Sequence, residues 1–230
     1  MNFEEFFTVV YEDNHLIIVN KKSGVLVQGD DTGDAPLSEH VKSYLKEKYS
    51  KPGNVFAGVI HRIDRPVSGL VVLAKTSKGL ERMNQAFSGK EIKKVYWAIV
   101  KNKPAKEEGN LVHWLTKDPK KNVAKAYLKE VDGSKRSELN YKLIGQTDTY
   151  FLLEVRPLTG RPHQIRCQLA VMGCPIKGDL KYGFPRSNDG GGISLHAYKL
   201  MFDHPVTKEK IEVKAELPED KFWQLFKNFE

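Results

Sequence analysis

The chain has 230 residues, 40% hydrophobic and 29% charged, enough to bury a core in one large domain or two small ones. Its 37 Lys and Arg outnumber 29 Asp and Glu, and the formal charge of +8 favours an anionic partner, nucleic acid or surface, although a plain basic protein carries such charge as well. Two cysteines, Cys167 and Cys174, cannot staple a chain of this length, the acidic opening "MNFEEFFTVVYEDN" is no signal peptide, and no window reaches the roughly 18 apolar residues of a membrane span.

A soluble cytoplasmic protein without a membrane partner is therefore expected, and no repeat or low-complexity linker divides it. "HLIIVNK" (15–21) predicts a buried strand, and "PLSEHVKSYLKEKY" (36–49) places Leu37, Val41, Tyr44 and Leu45 on one helical face. "GVIHRIDRPVSGLVVLAKT" (58–76) predicts a turn and then a strand over 69–75. Ser77 can cap a helix burying Leu80, Met83 and Phe87, with Gly89 stopping it. "EIKKVYWAIV" (91–100) alternates as a strand, with Val95 and Tyr96 on opposite sides. Residues 137–158 predict a hairpin turning near 145–148. "TGRPHQIRCQLAVMGCP" (159–175) predicts a helix with Pro162 in its first turn, Gly173 at its end and a stripe of Ile165, Leu169 and Met172. Residues 193–215 predict a strand pair turning at "DHPVTKEK", and 218–229 an amphipathic helix carrying Phe222, Phe226 and Phe229. The sum is an α+β fold of one domain over 1–230, with a mixed, mainly antiparallel central sheet and flanking helices.

No phosphate loop, G-x-G-x-x-G, H-E-x-x-H or G-x-S-x-G occurs. His163, Cys167, Cys174, His196 and His204 follow no common zinc spacing, so no metal is expected and both cysteines are read as structural. What stands out is an acid among bases: Asp64 lies between Arg62 and Arg65, with His61 just before, and Arg156, Arg161, His163 and Arg166 follow in "RPLTGRPHQIR". Taken alone, Asp64 can be a turn residue beside Pro66. Its cationic company favours chemistry, because an arginine nearby keeps a carboxylate ionised and ready to act as nucleophile or base. Arginine also holds phosphate through paired hydrogen bonds, so the same surroundings suit work on a nucleic acid. Arg161 and His163 stand where the helix begins, a natural anion site. Other candidates have a bland alternative: Tyr96 as a half-buried strand aromatic, Leu195 and His196 as core, and the lysine-rich "TKDPKKNVAKAYLKE" (116–130) as a solvated face.

"HRIDRPVSGLVVLAKT" closely resembles the H-R-L-D-x-x-T-S-G-L signature of the RluA-type pseudouridine synthases. Four further segments match that family in order: "KKVYWAIV" its K-x-Y-x-A-x-V strand, "RPLTGRPHQIRCQLA" its T-G-R-x-H-Q-I-R segment, "GCPIKGDLKYG" its G-x-P-I-x-G-D-x-x-Y-G turn and "LHAYKLMFDHPVT" its L-H-A-x-x-L-x-F-x-H-P strand. The resemblance implies the pseudouridine synthase fold with an RNA-binding cleft, and isomerisation of uridine to pseudouridine in tRNA or ribosomal RNA without cofactor or metal. By position it implies Asp64 as nucleophile or base, Tyr96 as the platform that stacks on the target base, and Arg166 as the partner of the Asp64 carboxylate. Arg62 is implied to help extract the nucleotide. His61, Arg65, Arg161, His163 and Leu195 complete the expected substrate-binding set.

The sequence departs from the pattern at Val67, which stands where Thr is frequent, at Ile63 for Leu, and at Cys167–Gln168, where a variable residue and His are usual. Many relatives carry an N-terminal RNA-binding module, and none is expected here, so the catalytic domain would recognise its RNA alone or with a partner. Two other readings stand beside the synthase: a silent RNA binder that keeps the fold, and a hydrolase using Asp64 on a small molecule. A monomer is expected, since no exposed apolar stripe demands a partner.

Overall fold

Two of the most apolar segments in the chain pair with each other. The computed structural model describes residues 2–30 and 32–229. Its chain falls into two units, residues 1–93 with 197–216 and residues 94–196 with 217–230. In the first unit β1 (Phe7–Glu12) and β2 (Leu16–Lys21) form an antiparallel pair, followed by α1 (Leu37–Lys48), β3 (Gly58–Val59) and β4 (Ser68–Ala74). β4 is buried at every position and lies antiparallel to β2, in register from Leu16↔Ala74 to Lys21↔Gly69. Such runs do not alternate because both faces of the strands are covered. α2 (Ser77–Ser88) follows directly and sends Met83 into the core beside Leu16, Ile18, Leu70 and Val72. Its cap is Thr76 rather than Ser77: the extended backbone of β4 persists to Thr76, whose Oγ1 accepts the Gly79 N–H at 3.0 Å. Gly89 ends the helix in right-handed conformation, and Lys90 takes the left-handed one.

The second unit is an antiparallel meander with a helix on it. β5 (Lys93–Val100), β6 (Glu108–Asp118), β7 (Val123–Tyr127), β8 (Lys135–Gln146) and β9 (Phe151–Pro157) are ordered β5-β9-β8-β6-β7. The lysine-rich 116–130 stretch is therefore largely a hairpin of β6 and β7, with Lys120 and Lys121 in its turn. α3 (Gln164–Val171) begins two residues later than Pro162 suggests. His163 adopts φ 53, in the left-handed region, and breaks any helix running through Pro162. Six consecutive residues, Gln164–Leu169, are buried, so the helix is enclosed instead of showing a single apolar stripe. The chain then returns to the first unit through β10 (Leu195–Asp203) and β11 (Lys210–Lys214), with β10 beside β4. The tail forms only α4 (Lys221–Gln224) and a short 3-10 turn over Lys227–Phe229. Trp223 and Phe226 carry its burial at a spacing of three, with Phe222 half-buried and Phe229 44% exposed, so of the expected stripe only Phe226 is fully buried and Trp223 takes the second buried seat. Antiparallel pairs dominate both units, as an α+β fold requires, and no helix among the described residues is long and apolar enough to cross a membrane.

Gly69, the second residue of β4, has φ +111, and an added Cβ there would lie 2.4 Å from the Ala197 carbonyl oxygen on β10. Gly69→Ala is expected to lower the unfolding free energy by about 3 kcal/mol or more, combining backbone strain with a main-chain clash. Urea unfolding followed by circular dichroism measures it, and a loss below about 1 kcal/mol would mean that the two strands can separate at little cost.

Candidate active site

Asp64 lies in a tight turn before β4, closed by the Val67 N–H donating to the Asp64 carbonyl at 3.0 Å. Ile63 and Val67 are buried on either side and leave Asp64 half-buried between them. The turn is tied to the loop after β2 at several points. Gly24 N–H donates to the Arg65 carbonyl at 2.8 Å, Arg65 Nε donates back to the Gly24 carbonyl at 2.9 Å, and Ser23 Oγ donates to the Pro66 carbonyl at 2.9 Å. Arg65 Nη2 also reaches Asp34 at 2.6 Å, and the exposed Arg62 places Nη1 3.3 Å from Gln28 Oε1. His61 accepts the Val72 N–H on Nε2 at 3.1 Å and stacks on Phe87, with centroids 4.7 Å apart. A neutral His61 ring therefore carries its proton on Nδ1, and the imidazole braces the segment against β4 and α2.

Lys21 is the residue that sequence reasoning passed over. It ends β2 with no exposed surface, and its Nζ donates to the carbonyls of Val25 (2.8 Å), Lys22 (3.0 Å) and Arg65 (3.3 Å). Burial pushes its ammonium down to about 7; the Asp64 carboxylate opposes that shift and the Arg65 guanidinium adds to it. A lysine at an inward position of an apolar strand was the signal available in "LIIVNK".

In the second unit Tyr96 stands on β5 opposite Val155 of β9, half-buried, while Val95 is buried on the other side. Lys94 shares the Tyr96 side of the strand. Burial holds its ammonium below the usual lysine range, and a Cβ on Gly160 would sit 3.7 Å from its Nζ. Arg166 on α3 is 5% exposed, and Asp179 takes it in a two-pronged grip, with Nε to Oδ2 at 2.7 Å and Nη2 to Oδ1 at 2.8 Å. The guanidinium also lies 5.1 Å from the centre of the Tyr182 ring. The Tyr182 hydroxyl accepts the Ala124 N–H at 2.8 Å and meets His163 Nδ1 at 2.8 Å, and burial pushes this phenol up to about 12. Donation of the hydroxyl proton to Nδ1 leaves the proton of a neutral His163 ring on Nε2.

Gln164 organises the loop ahead of α3. Its Oε1 accepts from the Arg161 N–H at 3.0 Å and from Thr159 Oγ1 at 2.7 Å, and its Nε2 donates to the Glu138 carbonyl at 3.0 Å. Arg161 itself is exposed, with Nε 3.3 Å from the Arg136 carbonyl. Leu195 is 3% exposed and His196 is fully buried, so both belong to the packed interior of the structure. Gln168, at the position where the family pattern usually has His, is buried and donates through Nε2 to the Leu111 carbonyl at 3.1 Å and toward His113 Nδ1 at 3.0 Å. Cys167 and Cys174 are both free and buried, and burial pushes the Cys167 thiol up to about 11. Among the described residues no group of three or more His, Cys, Asp and Glu is arranged to hold a metal ion. Asp179, Tyr182 and Gln164 lie inside motifs visible in the sequence, but their roles required knowing which buried groups they face.

Residues 15–171 match a family model described as RNA pseudouridylate synthase. A tRNA pseudouridine synthase C from Vibrio vulnificus is 33% identical over 241 residues, covering 96% of this chain and 95% of that protein. A ribosomal large subunit pseudouridine synthase C from Rickettsia bellii is 32% identical over 215 residues, covering 91% of this chain and 68% of that protein. In fold, the chain is similar to human RNA Pseudouridylate Synthase Domain Containing 4, with a TM-score of 0.76 at 21% identity over 92% of this chain and 88% of that one.

Lys21 gives stability a pH dependence of defined sign. Between about 7 and 10.5 the folded protein holds the amine neutral while the unfolded chain protonates it, so stability rises with pH across that window and is lost again as pH falls to about 7. Thermal or urea unfolding of wild type minus Lys21→Met should show a slope approaching about 1.4 kcal/mol per pH unit there; parallel curves would contradict a neutral Lys21. Asp179→Asn removes the two-pronged carboxylate grip on the buried Arg166 and should cost about 3–5 kcal/mol in urea unfolding. A loss under about 1 kcal/mol would mean that the pair contributes little to the second unit.

Proposed function

The chain belongs to the RluA-type RNA pseudouridine synthases, and on that footing we propose that it isomerises a uridine of tRNA or ribosomal RNA to pseudouridine, with Asp64 acting on the nucleotide, Tyr96 stacking on the flipped uracil and Arg166 pairing with the Asp64 carboxylate. The ordered set of five family segments between residues 15 and 215 carries this assignment. The reaction breaks the bond from N1 to the anomeric carbon, turns the base, and forms a bond from C5 to the same carbon. The C5 hydrogen leaves as a proton and N1 gains one, so no atom, electron or cofactor is consumed. A carboxylate can serve by attacking the anomeric carbon, by adding to C6 of the ring, or by taking the proton on the neighbouring sugar carbon.

Local geometry supports the assignment in each unit. Asp64 sits on a turn whose main chain is fixed by buried neighbours and by backbone hydrogen bonds to the loop after β2, so the stem of its side chain is positioned before substrate arrives. Arg166 is held flat by Asp179, a geometry suited to presenting a guanidinium edge to a second anion. Tyr96 offers an aromatic side chain on a rigid strand, and a stacked base gains roughly 1–3 kcal/mol, enough to retain a detached uracil while it rotates. Arg62, Arg65 and Arg161 are exposed cations available to RNA phosphates, and the loop carrying Arg161 is clamped by Gln164. A base inside a helix is out of reach, so the target nucleotide must leave its stack.

Tritium release from RNA labelled at uridine C5 tests the assignment. Wild type should release tritium from tRNA or ribosomal RNA. Asp64→Asn should release none while binding RNA within a few-fold, and Tyr96→Leu, which removes the stacking ring, should bind but turn over slowly. Release by Asp64→Asn would move the reactive group elsewhere, and tight binding without release by wild type would favour a silent RNA binder.

A further inference from the structure

The second unit holds a cavity of about 640 Å³ to which none of the residues assigned above contributes. Its cations come from four separate segments: Lys101 just past β5, Lys177 in the "GCPIKGDLKYG" turn at a position that the family pattern leaves open, Arg186 in the following loop, and Lys221 at the start of α4. Asp189 is the carboxylate on the lining, and Phe184, Tyr150 and Phe222 form its aromatic wall.

Lys177 makes this a built site. It is 5% exposed, and its backbone is held on both sides, N–H to the Ile99 carbonyl and carbonyl to the Ser194 N–H, each at 2.9 Å. Its Nζ donates to Asn188 Oδ1 and lies 3.4 Å from the centre of the Phe222 ring. Asn188 donates in turn to Ser194 Oγ at 3.1 Å, and Gly178, at φ +85, leaves room for it, since a Cβ there would lie 2.6 Å from the Asn188 side chain. Tyr150 meets Phe222 nearly edge-on at 5.4 Å. Among the described residues Asn188 is the one hydrogen-bond partner of the Lys177 ammonium, which carries three donors. Burial pulls that ammonium below the usual lysine range. Asp220 and Asp189 oppose the shift and Lys221 adds to it, and Asp220 Oδ1 is already occupied by the N–H groups of Phe222 and Trp223. A buried cation with donors to spare, ringed by three exposed cations and an aromatic wall, fits an anion joined to a flat apolar group.

We propose that this cavity binds a nucleotide of the RNA substrate, its phosphate held by Lys177, Lys101, Arg186 and Lys221 and its sugar and base against the Tyr150–Phe222 wall. The proposal rests on the reading of the chain as an RNA-modifying enzyme. The volume is that of a small-molecule site of roughly 300–1,000 Å³, far more than a bare phosphate fills. A free mononucleotide offers the same chemistry, so the test must separate the two sources.

The probes are inorganic phosphate, uridine 5′-monophosphate and a twelve-residue oligouridylate, titrated into the ¹⁵N-labelled full chain. The oligouridylate should shift the amides of Lys101, Asn188 and Lys221 and displace the mononucleotide from them, and phosphate alone should act more weakly. Lys101→Glu/Lys221→Glu, both exposed positions, should abolish these shifts, raise KM for RNA roughly tenfold with kcat within about twofold, and reduce the salt slope of log KM by about 0.7 for the lost phosphate contact. The milder Lys101→Gln/Lys221→Gln pair should show the same pattern to a smaller extent, and an unchanged amide spectrum elsewhere confirms folding. Shifts with the mononucleotide but not the oligomer would overturn the RNA assignment in favour of a free nucleotide. Phosphate acting as strongly as both would overturn a nucleotide site, and no shift with any probe would overturn the site altogether. Oligomer binding at these residues with no tritium release from any RNA would contradict the proposed reaction and leave this site standing.

Discussion

A guanidinium that is 5% exposed cannot be left without an anion, and in this protein Asp179 meets that demand for Arg166. Removing one member of such a pair typically costs about 3–5 kcal/mol, far more than a surface ion pair contributes, so the residues around it have little freedom. α3 must present Arg166 where the 176–184 turn can reach it, and that turn also delivers Tyr182 beneath the guanidinium. Tyr182 fastens the edge of β7 through the Ala124 N–H and holds the His163 ring, which sits in strained left-handed backbone just before the helix. One buried charge thus links a helix, a turn, a strand and a loop.

The first unit meets a similar demand by different means. Lys21 is as buried as Arg166, but its ammonium is satisfied by backbone carbonyls, two from the loop after β2 and one from the Asp64 turn. A lysine can do this because its three donors point in separate directions, whereas a planar guanidinium suits a carboxylate. The result is a turn whose main chain is held by the interior while its side chains Arg62, Asp64 and Arg65 remain at least partly accessible. That division between a fixed backbone and a reachable side chain suits the role proposed for Asp64. Gly69 adds the steric condition, since only a residue without Cβ lets β4 start against Ala197.

For an enzyme acting on RNA, charge has to serve two ends. Exposed cations draw in and position the phosphate backbone, and buried ones set the chemistry or the register of a bound nucleotide. The cavity around Lys177 belongs to the second kind: its cation is backed by an aromatic ring and an oriented amide, unlike the lysines in the solvated turn between β6 and β7.

Local pattern was sufficient for most of the fold. The apolar runs of β2 and β4, the alternation in β5, the turn before β9 and the faces of α1 and α2 follow from propensity and periodicity, which act over a few residues. The order of the family segments likewise named the reaction class, since each motif is a contiguous string. What local pattern missed depends on partners distant in sequence. The start of α3 is set by Gln164 reaching back to Thr159, Arg161 and Glu138, and the tail breaks because Trp223 joins Phe226 in a buried seat while Phe229 stays exposed. From the residues alone come the family, the strands β2, β4, β5, β8, β9, β10 and β11 and the candidates Asp64, Tyr96 and Arg166, while β1, and β6 and β7, whose polar and lysine-rich residues break the alternation, are not legible. That Asp179 grips Arg166, that Lys21 underpins the Asp64 turn and that Lys177 faces a cavity came from long-range contacts, because the cost of a buried charge depends on groups that folding alone brings within hydrogen-bond reach.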